Sequence, residues 1–232
     1  MQVIPRRQLP RLLRAAGLEA ATREFPDVSA VHRLTVRERE SLPFTSGPHR
    51  KFIYPDGRVE GPFPVADRPA LSAFVAAAFA ALEVKDVLAM VAEGTFWLNN
   101  KNQAAYLWKV EDAQRVACFL RRRGLTDRFQ GGFRVRAPRF DAVLPLLAAN
   151  TFAGGGDVLF AALPPSACCL TILACHHFDL HITSPDARLR DCLAELAAQR
   201  GLVAETLALP DLPDMPVSLW AEAENGTKEP PK

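Results

Sequence analysis

Two short strings recur in this chain, and their order constrains the fold more than any other feature. Asp86-Val87-Leu88 returns as Asp157-Val158-Leu159, and Arg123-Gly124-Leu125 returns as Arg200-Gly201-Leu202, with Phe79 falling opposite Phe152. The offset drifts from 71 to 77 residues, which an insertion at Pro164-Pro165 accommodates. Between the anchors, strand-like and helix-like runs follow in the same order, the mark of a duplicated unit. Chance similarity between two segments rich in Ala and Leu is the competing explanation.

The first copy opens on a hairpin. Lys51–Tyr54 and Arg58–Phe63 flank Pro55-Asp56-Gly57, where Asp-Gly supplies the positive φ of a tight turn. Asp67 and Pro69 stand where an N-cap and an early helical proline belong, and Leu71, Phe74, Val75, Ala78, Phe79 and Leu82 then make one apolar helix face. Val87–Ala92, Thr95–Leu98 and Ala104–Val110 read as strands, and Glu111–Arg123 as a helix stopped by Gly124. In the second copy, Phe133–Arg136 reads as a strand and Arg139–Asn150 as a helix. Val158–Leu163, Leu170–Cys175 and Leu180–Thr183 read as strands, and a helix capped by Ser184 and Pro185 runs to Arg200.

Upstream, Pro5–Leu18 reads as a short basic helix ended by Gly17. The stretch from Phe25 to His49, broken by prolines, reads as a loop with one helical turn near Thr35–Glu40. The expected fold class is therefore α+β: two similar tandem β-α-β-β-β-α halves with antiparallel sheets, preceded by a basic helical N-terminal arm. The expected boundaries are 1–50 for the arm, 51–125 and 126–204 for the halves, and 205–232 for an extended, partly disordered acidic tail. The two sheets either join edge to edge or pack as a pseudo-dimer.

Apolar residues at 49% and charged residues at 23% suit a chain that buries a core, and a net charge of +2 does not by itself call for a nucleic-acid partner. Charge is unevenly spread: residues 1–51 hold ten Lys/Arg against five Asp/Glu, and residues 201–232 hold two against six. Five cysteines without a disulfide-like spacing fit a reducing compartment. Met1–Pro10 lacks the apolar stretch of a signal peptide, and Ala70–Val84 is too short to span a bilayer. A cytoplasmic location without membrane contact is expected. Self-assembly as a homo-oligomer through a free sheet edge is left open.

Two segments carry chemistry. Residues 121–139 hold seven arginines against the single Asp127, with Phe129 and Phe133 interleaved. Arg121, Arg122, Arg123, Arg128, Arg134, Arg136 and Arg139 suit phosphate, because each planar fork donates paired hydrogen bonds and rings stack on unpaired bases. Arg6, Arg7, Arg11 and Arg14 extend the same surface. The plainer explanation is that helix C-termini favour cations, which covers Arg121–Arg123. The second segment is Cys175-His176-His177-Phe178-Asp179-Leu180-His181. On one continuous strand, Cys175, His177, Asp179 and His181 share a face, and His177, Asp179 and His181 become a metal-ligand set. If His176–Asp179 is a turn, that alignment fails.

Weaker features have ordinary explanations. Gly154-Gly155-Gly156 follows a helix and precedes a strand, the reverse of a phosphate loop. Asn99, Asn100, Asn102 and Gln103 suit a hairpin turn, and Trp97, Tyr106 and Trp108 suit cross-strand packing. No catalytic signature and no cofactor motif is present in the sequence. The expected function is a non-enzymatic binding or adaptor protein, contacting nucleic acid through the Arg-rich junction or else a protein partner. The alternative is a metal-dependent, hydrolase-like enzyme centred on His177, Asp179 and His181.

Overall fold

The computed structural model describes residues 1–26, 31–38, 49–53, 59–64, 68–91, 97, 111–126, 129–152, 156–166, 168–175 and 178–206. The strands are β1 (Gln2–Ile4), β2 (His32–Glu38), β3 (His49–Ile53), β4 (Val59–Pro64), β5 (Asp86–Val91), β6 (Gly132–Arg136), β7 (Val158–Leu163), β8 (Thr171–Cys175), β9 (Asp179–Ser184) and β10 (Leu202–Thr206). The helices are α1 (Leu9–Ala15), α2 (Pro69–Ala81), α3 (Glu111–Arg121), α4 (Phe140–Phe152) and α5 (Ala187–Gln199). Eight strands form one antiparallel sheet in the order β1-β6-β5-β7-β8-β9-β2-β10, and β3 pairs with β4 apart from it. The molecule is mixed α+β, and among the described residues no helix is long and apolar enough to cross a membrane.

Strand alternation divides the core between two faces of the sheet. Leu34 and Val36 of β2, Phe133 and Val135 of β6, Phe160 of β7, Ile172 of β8 and Leu180 and Ile182 of β9 point to the helical layer, where they meet Phe74, Phe79, Leu120, Leu144 and Leu193. Helices α2 and α4 pack on each other over the middle of the sheet. Both are apolar around much of their circumference, as helices buried between a sheet and a neighbour must be. The other face is covered only in part. Leu9, Leu13 and Ala16 of the α1 segment sit on Leu88, Met90, Leu159, Ala161 and Leu163 of β5 and β7, with Leu173 of β8 at the margin. On β9 and β2 this face turns polar.

Several local expectations hold. The paired strands β3 and β4 of the expected hairpin, and α2, β5, α3, β6, α4, β7, β8 and α5, all form. The Pro55-Asp56-Gly57 turn and the Asp67 cap lie outside the described residues. Gly124 and Gly201 follow α3 and α5 with φ of 68° and 73°. A left-handed residue there ends the helix, and glycine adopts it without a Cβ clash. Capping differs in detail: Asp186 caps α5 by accepting from the Arg188 N–H, while Ser184 ends β9 and donates to the Cys169 carbonyl at 2.7 Å.

The N-terminal region is corrected. Residues 1–50 are more than a helical arm, because β1 lies on β6 and β2 lies between β9 and β10 in the main sheet. The loop expected at Phe25–His49 contains β2, and the helical turn expected near Thr35–Glu40 is strand through Glu38. Pairing with two distant strands outweighs the local proline signals. Nor do the halves carry separate sheets: β5 sits between β6 and β7 of the later half. The strands expected at Thr95–Leu98 and Ala104–Val110 and the tail from 207 lie outside the described residues, apart from Trp97.

Candidate functional site

The histidine segment is not one continuous strand. Strand β8 ends at Cys175, the Phe178 N–H donates to the Cys175 carbonyl at 3.1 Å with Phe178 at φ 67°, and β9 begins at Asp179. The alignment expected along a single strand is therefore replaced by one across the ladder. Cys175 pairs directly with Asp179, and His181 follows two residues along β9 on the same face. Asp179 and His181 are brought together as expected, Cys175 joins them, and His177 lies outside the described residues. One ligand atom from each of Cys175, Asp179 and His181 lies within 4.8 Å of the others.

Strand β2 supplies the surroundings, with Thr35 opposite His181 and Arg37 opposite Asp179. Thr35 Oγ1 is 3.3 Å from His181 Nδ1, and His181 Nε2 is 3.3 Å from Asp179 Oδ1. That second contact is not a hydrogen bond, and Asp179 Oδ1 is a buried oxygen without one. The Arg37 guanidinium is bound by Glu205 of β10, whose carboxylate raises its pKa by hydrogen bond first and charge second. Thr171 and Thr183 continue the same polar face in hydrogen-bond contact.

The arginines of the junction separate into two groups. Arg134 and Arg136 project from β6 to the α1 side of the sheet, where Arg134 donates to Asp86 Oδ2 at 2.7 Å and Arg136 Nε lies 3.9 Å from Oδ1. The Asp86 hydrogen bond raises the pKa of Arg134, and its charge is spoken for. Arg121, Arg122 and Arg123 end α3, and Arg139 leads into α4; all four are exposed. The Arg123 guanidinium stacks 3.6 Å from the centroid of the Phe119 ring and donates to the Phe119 carbonyl. Desolvation first, then the fields of Arg139 and Arg122, lower its pKa. Among the described residues, no carboxylate lies within ion-pair distance of Arg121, Arg122, Arg123 or Arg139. Arg128 lies outside the described residues, and Arg6 reaches Gln130 at 2.8 Å from the α1 side.

Thr35, Arg37 and Glu205 were not among the residues expected at a site. The alternation of Leu34 and Val36 was the available signal, since it places Arg33, Thr35 and Arg37 on the opposite face. Thiol chemistry tests the geometry. With an alkylating reagent at neutral pH, exposed Cys118, Cys169 and Cys192 should react at least about tenfold faster than buried Cys175, with Cys168 slowed because burial raises its pKa. Peptide mass spectrometry reads the rates, and equal labelling of Cys175 and Cys169 would contradict the packing of β8 on β9. Known protein families, curated proteins and solved structures give no match to this chain.

Proposed function

We propose that this is a non-enzymatic binding or adaptor protein that takes a nucleic acid on the arginine cluster at the end of α3 and the start of α4. The observation that carries the reading is the charge of Arg121, Arg122, Arg123 and Arg139, which no carboxylate offsets among the described residues. Desolvation first, then the fields of Arg139 and Arg122, lower the pKa of Arg123. Unpaired guanidinium groups repel one another, and a phosphate backbone relieves that repulsion while releasing its own counterions. Arg123 stacked on Phe119 adds a flat cationic surface suited to an unpaired base. Arg136, 78% exposed on its side chain and 3.9 Å from Asp86, projects from the opposite face of the sheet and stands apart from this cluster.

The same reading keeps the tandem β-α-β-β-β-α halves. Its support is local: α2 leads into β5 as α4 leads into β7, and these two strands pair antiparallel with Asp86 opposite Leu163 and Val91 opposite Val158. A cytoplasmic setting accords with five cysteines outside any disulfide.

Titration with labelled single- and double-stranded DNA and RNA across salt concentration tests the function. Affinity should fall steeply with salt, and an Arg121→Ala, Arg122→Ala, Arg139→Ala variant should lose at least about tenfold and about two units of the log–log salt slope. Arg134→Ala should leave binding unchanged, because Asp86 already holds that charge. Absence of binding at low salt, or equal binding by the folded triple variant, rejects the reading and leaves a protein partner.

A further inference from the structure

The cluster at the turn end of β8 and β9 takes no part in the arginine surface. We propose that Cys175, Asp179 and His181 bind one late transition-metal ion of the Zn2+ class, with three protein ligands and a fourth position open to solvent. Three features converge. The donor atoms lie within 4.8 Å of one another, and the His181 Nε2 to Asp179 Oδ1 separation is 3.3 Å. Bonds of about 2.0–2.3 Å around a tetrahedral ion put ligand atoms roughly 3.3–3.8 Å apart, so the His–Asp pair already has the spacing and the set closes with a shift of about 1 Å.

The second feature is the orphaned Asp179 Oδ1, buried and facing His181 without a hydrogen bond. A buried carboxylate oxygen left so is costly, and a cation between it and the imidazole removes the cost. The third is Thr35. With the Nδ1–H of His181 donated to Thr35 Oγ1, the Nε2 lone pair faces the cluster, the outer hold that metal-bound histidines need. The tautomer is assigned from this contact.

The donor set selects the metal class. A thiolate beside an imidazole favours Zn2+ or Co2+ over Mg2+ and Ca2+, which prefer all-oxygen shells. Arg37 stands opposite Asp179 and opposes a cation there, but its guanidinium is held and neutralised by Glu205. The site is reachable, since the His181 and Asp179 side chains are 34% and 18% exposed while Cys175 forms the floor at 5%.

The test is a titration of the reduced, chelator-treated full chain with Co2+, then Zn2+. One equivalent of Co2+ should give an intense near-ultraviolet thiolate-to-cobalt band, displaced by one equivalent of Zn2+. Cys175→Ser should abolish the band, and the double variant Cys168→Ser, Cys169→Ser should keep it. His181→Ala and Asp179→Asn, at partly buried positions, should each weaken binding at least about tenfold, and Thr35→Val by about tenfold. No cobalt uptake by folded protein, a band surviving in Cys175→Ser, or unchanged affinity in both His181→Ala and Asp179→Asn overturns the proposal. None of these outcomes depends on nucleic-acid binding.

Discussion

Phe133→Ala is expected to lower the melting temperature by about 10 °C. Phe133 is fully buried on β6, and its ring centroid lies 5.1 Å from Trp97, 5.6 Å from Phe119 of α3 and 5.7 Å from Phe129. The first two contacts are edge-to-face, so aromatic pairing adds to the area removed from water. Truncation of a buried Phe costs about 3–5 kcal/mol, and each kcal/mol is worth about 2–4 °C in a chain of this size. Collapse of the cavity is restricted, because Trp97 Nε1 is tied to the Gly131 carbonyl at 2.9 Å. Gly131 itself is closely packed: a Cβ there would lie 2.2 Å from the Ile4 carbonyl of β1. Thermal unfolding followed by near-ultraviolet circular dichroism checks this. A drop below about 3 °C would mean that the four rings do not form a shared core.

What the sequence made legible is what local chemistry decides. The glycine stops after α3 and α5, the apolar face of α2 and the unbroken apolar run of β7 each carry their signal within a few residues. Strand β2 has the same alternation in Leu34 and Val36, but its partners β9 and β10 stand far along the chain, with Leu34 opposite both Ile182 and Thr206. Nothing near β2 announces that pairing, and the surrounding prolines argue against it. β1 is only three residues, too short for any period to show. Long-range pairing is decided by the whole core, which local patterns do not encode.

The candidate metal cluster divides along the same line. Asp179 and His181 share a face by simple alternation, which the sequence displays. Cys175 reaches them across the ladder, through a turn closed by the left-handed Phe178, and Thr35 arrives from a strand 146 residues away. The arginine run was legible as a composition, but not its division. Asp86 of β5 claims Arg134, and the sheet then places Arg134 and Arg136 on the face opposite the helical layer that α3 joins.

Glu38→Ala is expected to destabilise the protein by about 3–5 kcal/mol, more than an exposed ion pair allows. Its partner Arg68 is 4% exposed and donates from Nη1 to Glu38 Oε2 at 2.8 Å, with its guanidinium 4.7 Å from the centroid of the Phe178 ring. Arg68 stands at the N-terminus of α2, where its carbonyl accepts from the Ser72 N–H and the helix dipole disfavours a cation. Glu38 is therefore the group that makes this charge tolerable, and the pair joins β2 to α2 and to the turn that seats Cys175 and Asp179. Removing the carboxylate leaves a buried guanidinium whose Nε already lacks a hydrogen bond. Removing both charges together, as Arg68→Met with Glu38→Gln, should cost less than Glu38→Ala alone, because an apolar side chain needs no counter-charge there. Urea unfolding of the single and double variants measures the difference. A Glu38→Ala cost below about 1 kcal/mol would mean that solvent screens the pair, and a double variant no better than the single one would mean that Arg68 serves chiefly through its guanidinium over the Phe178 ring.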